Sequence, residues 1–171
     1  LADGTINPAL ADGTYDIAVT ATDPAGNAGV DATTNELRVD ITAPVVTVNN
    51  KSTNDRRPPL TGTVNDNTAT IRVTVGAQSN LVAVNNGNGT WTLPDNTILT
   101  NLTDGTYNVV VTATDSVGNA GTDASISELV IDATAPTITV TALTTNDNRP
   151  SLSGTTNDTT ATISVLVGGQ T

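Results

Sequence analysis

Apolar and polar residues alternate along most of this chain in short runs, and the runs are cut by Asn, Asp, Gly and Pro. A period of two sends successive side chains to opposite faces of an extended strand, so each run predicts a strand with one face turned inward. Between residues 42 and 133 the pattern predicts strands at 45–48, 60–64 and 70–75, the last with Ile71, Val73 and Val75 on one face. Residues 80–84 and 90–93 predict a hairpin about Asn86-Gly87-Asn88-Gly89, because Asn and Gly accept the positive φ of tight hairpin turns. The run at 106–114 sets Tyr107, Val109, Val111 and Ala113 on one face and leads through Asp115-Ser116-Val117-Gly118-Asn119 to a final strand over 121–131. No stretch carries a helical period.

The chain also repeats itself. Asp12-Gly13-Thr14-Tyr15 recurs as Asp104-Gly105-Thr106-Tyr107, and Thr53-Asn54-Asp55 as Thr145-Asn146-Asp147, at a constant offset of 92 residues. A fixed period of this kind marks a tandem array. The junctions Val39-Asp40-Ile41-Thr42-Ala43-Pro44 and Ile131-Asp132-Ala133-Thr134-Ala135-Pro136 are extended joints, since Pro fixes φ and removes a backbone donor. A boundary there makes residues 42–133 one complete unit, residues 1–41 the back of a preceding unit and residues 134–171 the front of a following one. The start at Leu1 falls in mid-pattern, as expected of a stretch cut from something longer. About seven strands per unit with a turn every 8–12 residues is the pattern of an immunoglobulin-like β-sandwich. The expected fold class is all-β, with tandem antiparallel sandwiches.

Composition narrows the function. Aromatic residues make up 2% of the chain and there is no Cys, His, Met or Phe, so the cores rest on Val, Ile, Leu and Ala and no disulfide can help. Tyr107 and its copy Tyr15 start a strand after an Asp-Gly turn, where sandwiches carry a tyrosine corner, and Trp91 is expected in the core. A net charge of -11 gives a field that repels nucleic acid and anionic membranes and favours cations. No apolar run reaches the roughly 20 residues that span a membrane. Without His or Cys, and with Glu36 and Glu128 as the only glutamates, no general base or nucleophile with a recognisable partner stands out, and catalysis is not expected.

Arg57-Pro58-Pro59-Leu60-Thr61-Gly62-Thr63, Asn88-Gly89-Thr90-Trp91-Thr92-Leu93, Leu102-Thr103-Asp104-Gly105-Thr106-Tyr107 and Val111-Thr112-Ala113-Thr114-Asp115 with Gly118-Asn119 together resemble the bacterial Ig-like repeats of giant surface adhesins. The resemblance covers the whole chain. It implies a secreted or cell-surface spacer that holds a terminal binding region away from the cell, with neighbouring repeats as partners and, in many members, Ca²⁺ at the joints.

Calcium takes about six to eight oxygen ligands, so a site needs acidic residues converging from several loops. Sandwich topology brings the Asp that closes one unit to the turns of the next. Asp40 is therefore expected near Asp66, Asp115 and Asn119, and Asp132 near Asp158, as a set of metal ligands. The bland alternative is that Asp66 and Asp115 only cap turns. Asp12 and Asp104 are read as turn residues, and Asp55, Asp147, Arg57 and Arg149 as surface ion-pair partners. A carbohydrate- or host-protein-binding module is the competing function, and it requires an exposed aromatic or a loop that differs between copies. Residues 1–41 and 134–171 carry complementary parts of one unit, and head-to-tail complementation between chains is a further expectation.

Overall fold

The computed structural model describes residues 1–123 and 125–169. The strands in chain order are β1 (Gly13–Tyr15), β2 (Thr20–Thr22), β3 (Ala28–Val30), β4 (Leu37–Val39), β5 (Lys51–Thr53), β6 (Leu60–Thr63), β7 (Thr70–Val75) and β8 (Gln78–Asn85). They continue with β9 (Thr90–Leu93), β10 (Gly105–Tyr107), β11 (Val109–Thr114), β12 (Ala120–Thr122), β13 (Leu129–Ile131), β14 (Ile138–Val140) and β15 (Gly154–Thr156). No helix occurs among the described residues, and the fold is an all-β Ig-like sandwich.

One sheet has the order β12-β11-β7-β8-β9-β6 and a second the order β10-β13-β5. The β8–β9 hairpin forms where the Asn-Gly signal falls, β7 and β8 are joined by a tight turn at Gly76-Ala77 that the sequence reading did not single out, and Ile71, Val73 and Val75 are buried as their alternation requires. Strand β8 belongs to both halves of its sheet, laddering with β7 through Leu81–Ala83 and with β9 through Val84 and Asn85. The outer segments form two-stranded ladders, β1 with β4, β2 with β3, and β14 with β15.

Three predicted strands take a different form. The run at 45–48 makes only one bridge, Val46 to Val64. It is hydrogen-bonded alongside β6, with Thr47 N donating to Thr63 O at 3.0 Å and Asn49 N to Thr61 O at 2.9 Å. A few residues later β5 joins the other sheet, parallel to β13. The chain thus crosses between sheets within one extended segment. The long runs at 106–114 and 121–131 each break in two, because unequal lengths of chain separate the pair Thr112–Thr122 from the pair Tyr107–Leu129.

The break has a chemical cause. Glu128 is 1% exposed and its Oε2 accepts the Val109 amide at 2.9 Å, while Asn108 Oδ1 accepts the amide of Ser127, which sits at φ 68°. Side-chain oxygens here replace ladder partners that the strands cannot supply. The first segment repeats the device, with Glu36 Oε2 accepting the Ile17 amide at 3.0 Å and Asp16 Oδ1 accepting the Asn35 amide at 2.7 Å.

All buried hydrophobic residues among those described lie between Val46 and Ile131. Leu60, Ile71, Val73, Leu93, Val109, Val111, Leu129 and Ile131 form one core with Trp91, which is fully buried. Each such aliphatic side chain contributes about 1.5–3 kcal/mol on burial, which is how a sandwich nearly devoid of aromatics holds together. The indole Nε1 donates to Thr47 O at 2.8 Å. Gly62 makes that contact possible, because a Cβ there would lie 1.9 Å from Thr47 O and 2.5 Å from the indole nitrogen. Gly62→Ala should therefore destabilise the fold by about 1–3 kcal/mol, the usual cost of overpacking. Gly29→Ala, facing open space, should change it by less than about 0.5 kcal/mol. Urea denaturation of both variants checks the pair.

Candidate functional site

The site is built by the crossing segment. Strand pairing on both sides of residues 45–53 leaves the linker at residues 40–44 lying against two turns of the central sandwich. Pro44 is buried, and its carbonyl approaches Gly121 so closely that a Cβ would lie 1.7 Å from the oxygen. Its copy Pro136 is exposed. Asn65 Oδ1 accepts the Val45 amide at 2.7 Å, and Asn119 Nδ2 donates to Asp40 O at 2.9 Å and to Asp115 Oδ2 at 2.8 Å.

A cleft of about 320 Å³ opens at this contact, lined by Asp40, Asp66 and Asp115 together with Arg38, Thr42 and Pro44. Three of the four expected first-joint ligands thus share one space, and the fourth, Asn119, borders it as a donor. Each carboxylate also has local work. Asp66 Oδ1 accepts the Thr68 amide and hydroxyl, both at 2.7 Å. Asp115 Oδ1 accepts the amides of Val117, Gly118 and Asn119 at 2.7–2.9 Å. Asp40 Oδ2 pairs with Arg38 Nη2 at 3.0 Å. Among the described residues, no group of three or more acidic side chains stands close enough to hold a metal ion. Three carboxylates line a common space, and the Arg38 guanidinium places a positive group on one of them.

At the second joint the arrangement is looser. Asp132 Oδ1 accepts the Thr134 amide at 3.3 Å, and Asp158 Oδ1 accepts the Thr160 amide and hydroxyl at 2.8 and 2.7 Å, as in the Asp66 turn. The described interactions do not bring these two carboxylates together.

Sequence reading missed the part played by Asp12 and Asp104. Asp12 Oδ1 accepts the Ile41 amide at 2.7 Å and its Oδ2 accepts the Thr42 hydroxyl. Asp104 holds Ala133 N at 3.2 Å and the Thr134 hydroxyl in the same way, and adds Arg56 Nη2 at 2.9 Å. The signal was present in the spacing, since each Asp-Gly turn precedes its Asp-x-Thr linker by a constant interval. Arg57 also differs from expectation: its guanidinium donates to the carbonyls of Ile98 and Asn96, and its own amide goes to Asp55 Oδ1 at 2.9 Å. Trp91 is buried as expected, and the half-buried tyrosines donate their hydroxyls to Thr103 O and Ala11 O, both at 2.9 Å, as tyrosine corners do.

These hydrogen bonds set the ionisation. The Thr42 hydroxyl and the Ile41 amide hold Asp12 below its ordinary value, and the Thr134 hydroxyl, the Ala133 amide and Arg56 do the same for Asp104. Thr68 lowers Asp66 against the opposing charge of Asp115. Desolvation works to raise Asp115, and the Asn119 side chain with three turn amides outweighs it, leaving that carboxyl lowered too.

The chain finds its likeness in a bacterial family. Residues 45–133 match the bacterial Ig-like domain. Among solved structures the chain is similar to a Ca²⁺-stabilised adhesin that helps an Antarctic bacterium reach out and bind ice, with 26% identity, 76% of this chain and 35% of that chain covered, and a TM-score of 0.38. The match therefore spans about a third of the length of that solved chain. No curated protein matches it.

Because all four carboxyls are lowered on folding, their contribution to stability is complete above the unfolded value near 3.9 and is lost as pH falls through the lowered folded values. Carbon-detected titration should place the midpoints of Asp12, Asp66, Asp104 and Asp115 below that of free Asp. Thermal stability should begin to fall only below about pH 5.

Proposed function

The chain belongs to the bacterial Ig-like domain family, and from that premise we propose that residues 42–133 are one repeat of a bacterial surface adhesin whose work is to add length. Residues 1–41 and 134–171 belong to the repeats on either side, so the partners of each sandwich are its neighbours in the array. The observation that carries this reading is the seating of the linker on the next sandwich, with Pro44 buried and Asp40 O bonded to Asn119. A joint seated in this way transmits direction from one sandwich to the next, as a spacer requires.

Calcium is the second part of the proposal. Asp40, Asp66 and Asp115 would hold the ion at the first joint with Asn119 beside them, and Asp132 and Asp158 would contribute at the second. The bound ion supplies positive charge to carboxylates of two neighbouring sandwiches and so penalises their separation. At the first joint Arg38 has to release Asp40 for the ion to enter. Its copy is Val130, so the second joint has no such competitor at that position.

A third element concerns residues 1–171 as a free chain. Ile138, Leu152, Ile163 and Val165 line a groove of about 340 Å³, and they are copies of the core residues Val46, Leu60, Ile71 and Val73. The residues that cover those four in the central sandwich, Val109, Val111, Leu129 and Ile131, have their copies in Ile17, Val19, Leu37 and Val39. A second copy therefore carries the matching surface in its first segment, and head-to-tail association follows.

Calcium at a hundredfold excess over Kd should stabilise the fold by about 2.7 kcal/mol relative to chelator, read by calorimetry. An unchanged Tm in Asp66→Asn/Asp115→Asn and a rise in the parent would assign the effect to the cleft, whereas no rise in the parent removes calcium from the account. Arg38→Val should tighten calcium binding by up to about fivefold, the effect of removing one surface ion pair at the upper end of its range. Sedimentation velocity should show concentration-dependent growth of the free chain, and Ile163→Asp should abolish it.

A further inference from the structure

We propose that the joint is aligned by an interleaved clasp that works without metal, in which the preceding segment and the following sandwich grip successive linker residues in alternation. Asn119 of the following sandwich takes the carbonyl of Asp40. Asp12 of the preceding segment takes the amide of Ile41 and the hydroxyl of Thr42. Gly121, again of the following sandwich, takes the carbonyl edge of Pro44 in a space that no larger residue leaves open.

The alternation gives the clasp its stiffness. Were all the grips on one side, the linker would be a flap of one sandwich and the hinge would lie at its far end. With grips in the order following, preceding, following, rotation about the linker backbone anywhere between residues 40 and 44 moves a held atom away from its partner. Pro44 removes one of the remaining soft torsions.

Local turn chemistry does not account for Asp12. Its described partners lie 29 and 30 residues further along the chain, at the linker. Asp104 repeats both contacts at the same separations on Ala133 and Thr134. Two turns with the same sequence thus hold two linkers that share only Asp-x-Thr-Ala-Pro, and in both copies the Thr hydroxyl and the carboxylate of the Asp-Gly turn make the contact. Asp12 and Asp104 are positioning residues for the joint, and their role stands whether or not calcium enters the cleft beside it.

The test is amide hydrogen exchange of the full chain by NMR, in chelator at neutral pH. The Ile41 and Ala133 amides should exchange at least tenfold more slowly than their intrinsic rates. Asp12→Ala should release Ile41 alone and Asp104→Ala should release Ala133 alone, with β7 and β11 as protected as before. Thr42→Val, which keeps the shape and removes the hydroxyl, should raise the Ile41 rate by a smaller factor. Exchange of Ile41 that is equally fast in the parent chain and in Asp12→Ala overturns the clasp. Protection that arises only when calcium is added also overturns it and leaves the calcium reading standing, while protection in chelator with no calcium bound at any concentration removes calcium and keeps the clasp.

Discussion

The structure depends on one extended segment lying against both sheets at once. Residues 45–49 bond alongside β6 and residues 51–53 alongside β13, and this double attachment closes the sandwich over Trp91. It also fixes where the chain must enter. Because Thr47 O is committed to the indole and Gly62 leaves no slack beneath it, the entry point is set by the core. Pro44 and the linker before it are then laid against the turns at residues 65–68 and 115–119. Core packing and joint geometry are in this sense one constraint.

Side-chain oxygens fill the places where that constraint leaves backbone groups without ladder partners. Glu128 and Asn108 serve the broken pair of strands, Asn65 serves Val45, and Asp12 and Asp104 serve the linkers. A buried or half-buried amide without an acceptor is costly. The abundance of Asp and Asn is therefore partly a structural inventory, and the negative charge is its by-product as well as a field for cations. The same residues make the cleft acidic and keep it from being a finished metal cage, since Asp66 spends one oxygen on its turn and Asp115 spends both.

Much of the fold was legible in the sequence because alternation and Asn-Gly turns are local signals. The β8–β9 hairpin and the inward faces of β7 and β11 follow from them, and the tyrosine corners and the buried tryptophan fit the sandwich they imply, whereas the β7–β8 turn at Gly76-Ala77 carries no Asn-Gly signal. The division of the first strand between sheets was not legible, since nothing in residues 45–53 says which partner each amide takes. The break at Glu128 was hidden for a related reason: a lone glutamate among apolar residues looks like an exposed position until Val109 is seen to need it. Topology placed Asp40, Asp66 and Asp115 in one neighbourhood. Arg38 on Asp40 and Asp12 on Thr42 depend on side-chain geometry across long separations, which periodicity does not encode, although the repeat preserved the second of them in two copies.

A spacer is defined by how its length grows. The most direct measurement is small-angle scattering on one, two and three tandem copies of residues 42–133, in calcium and in chelator. Seated joints predict a maximum dimension that rises in proportion to the number of copies in both conditions, with calcium sharpening the distribution. A dimension that grows as the square root of copy number, as for freely jointed beads, would contradict the account.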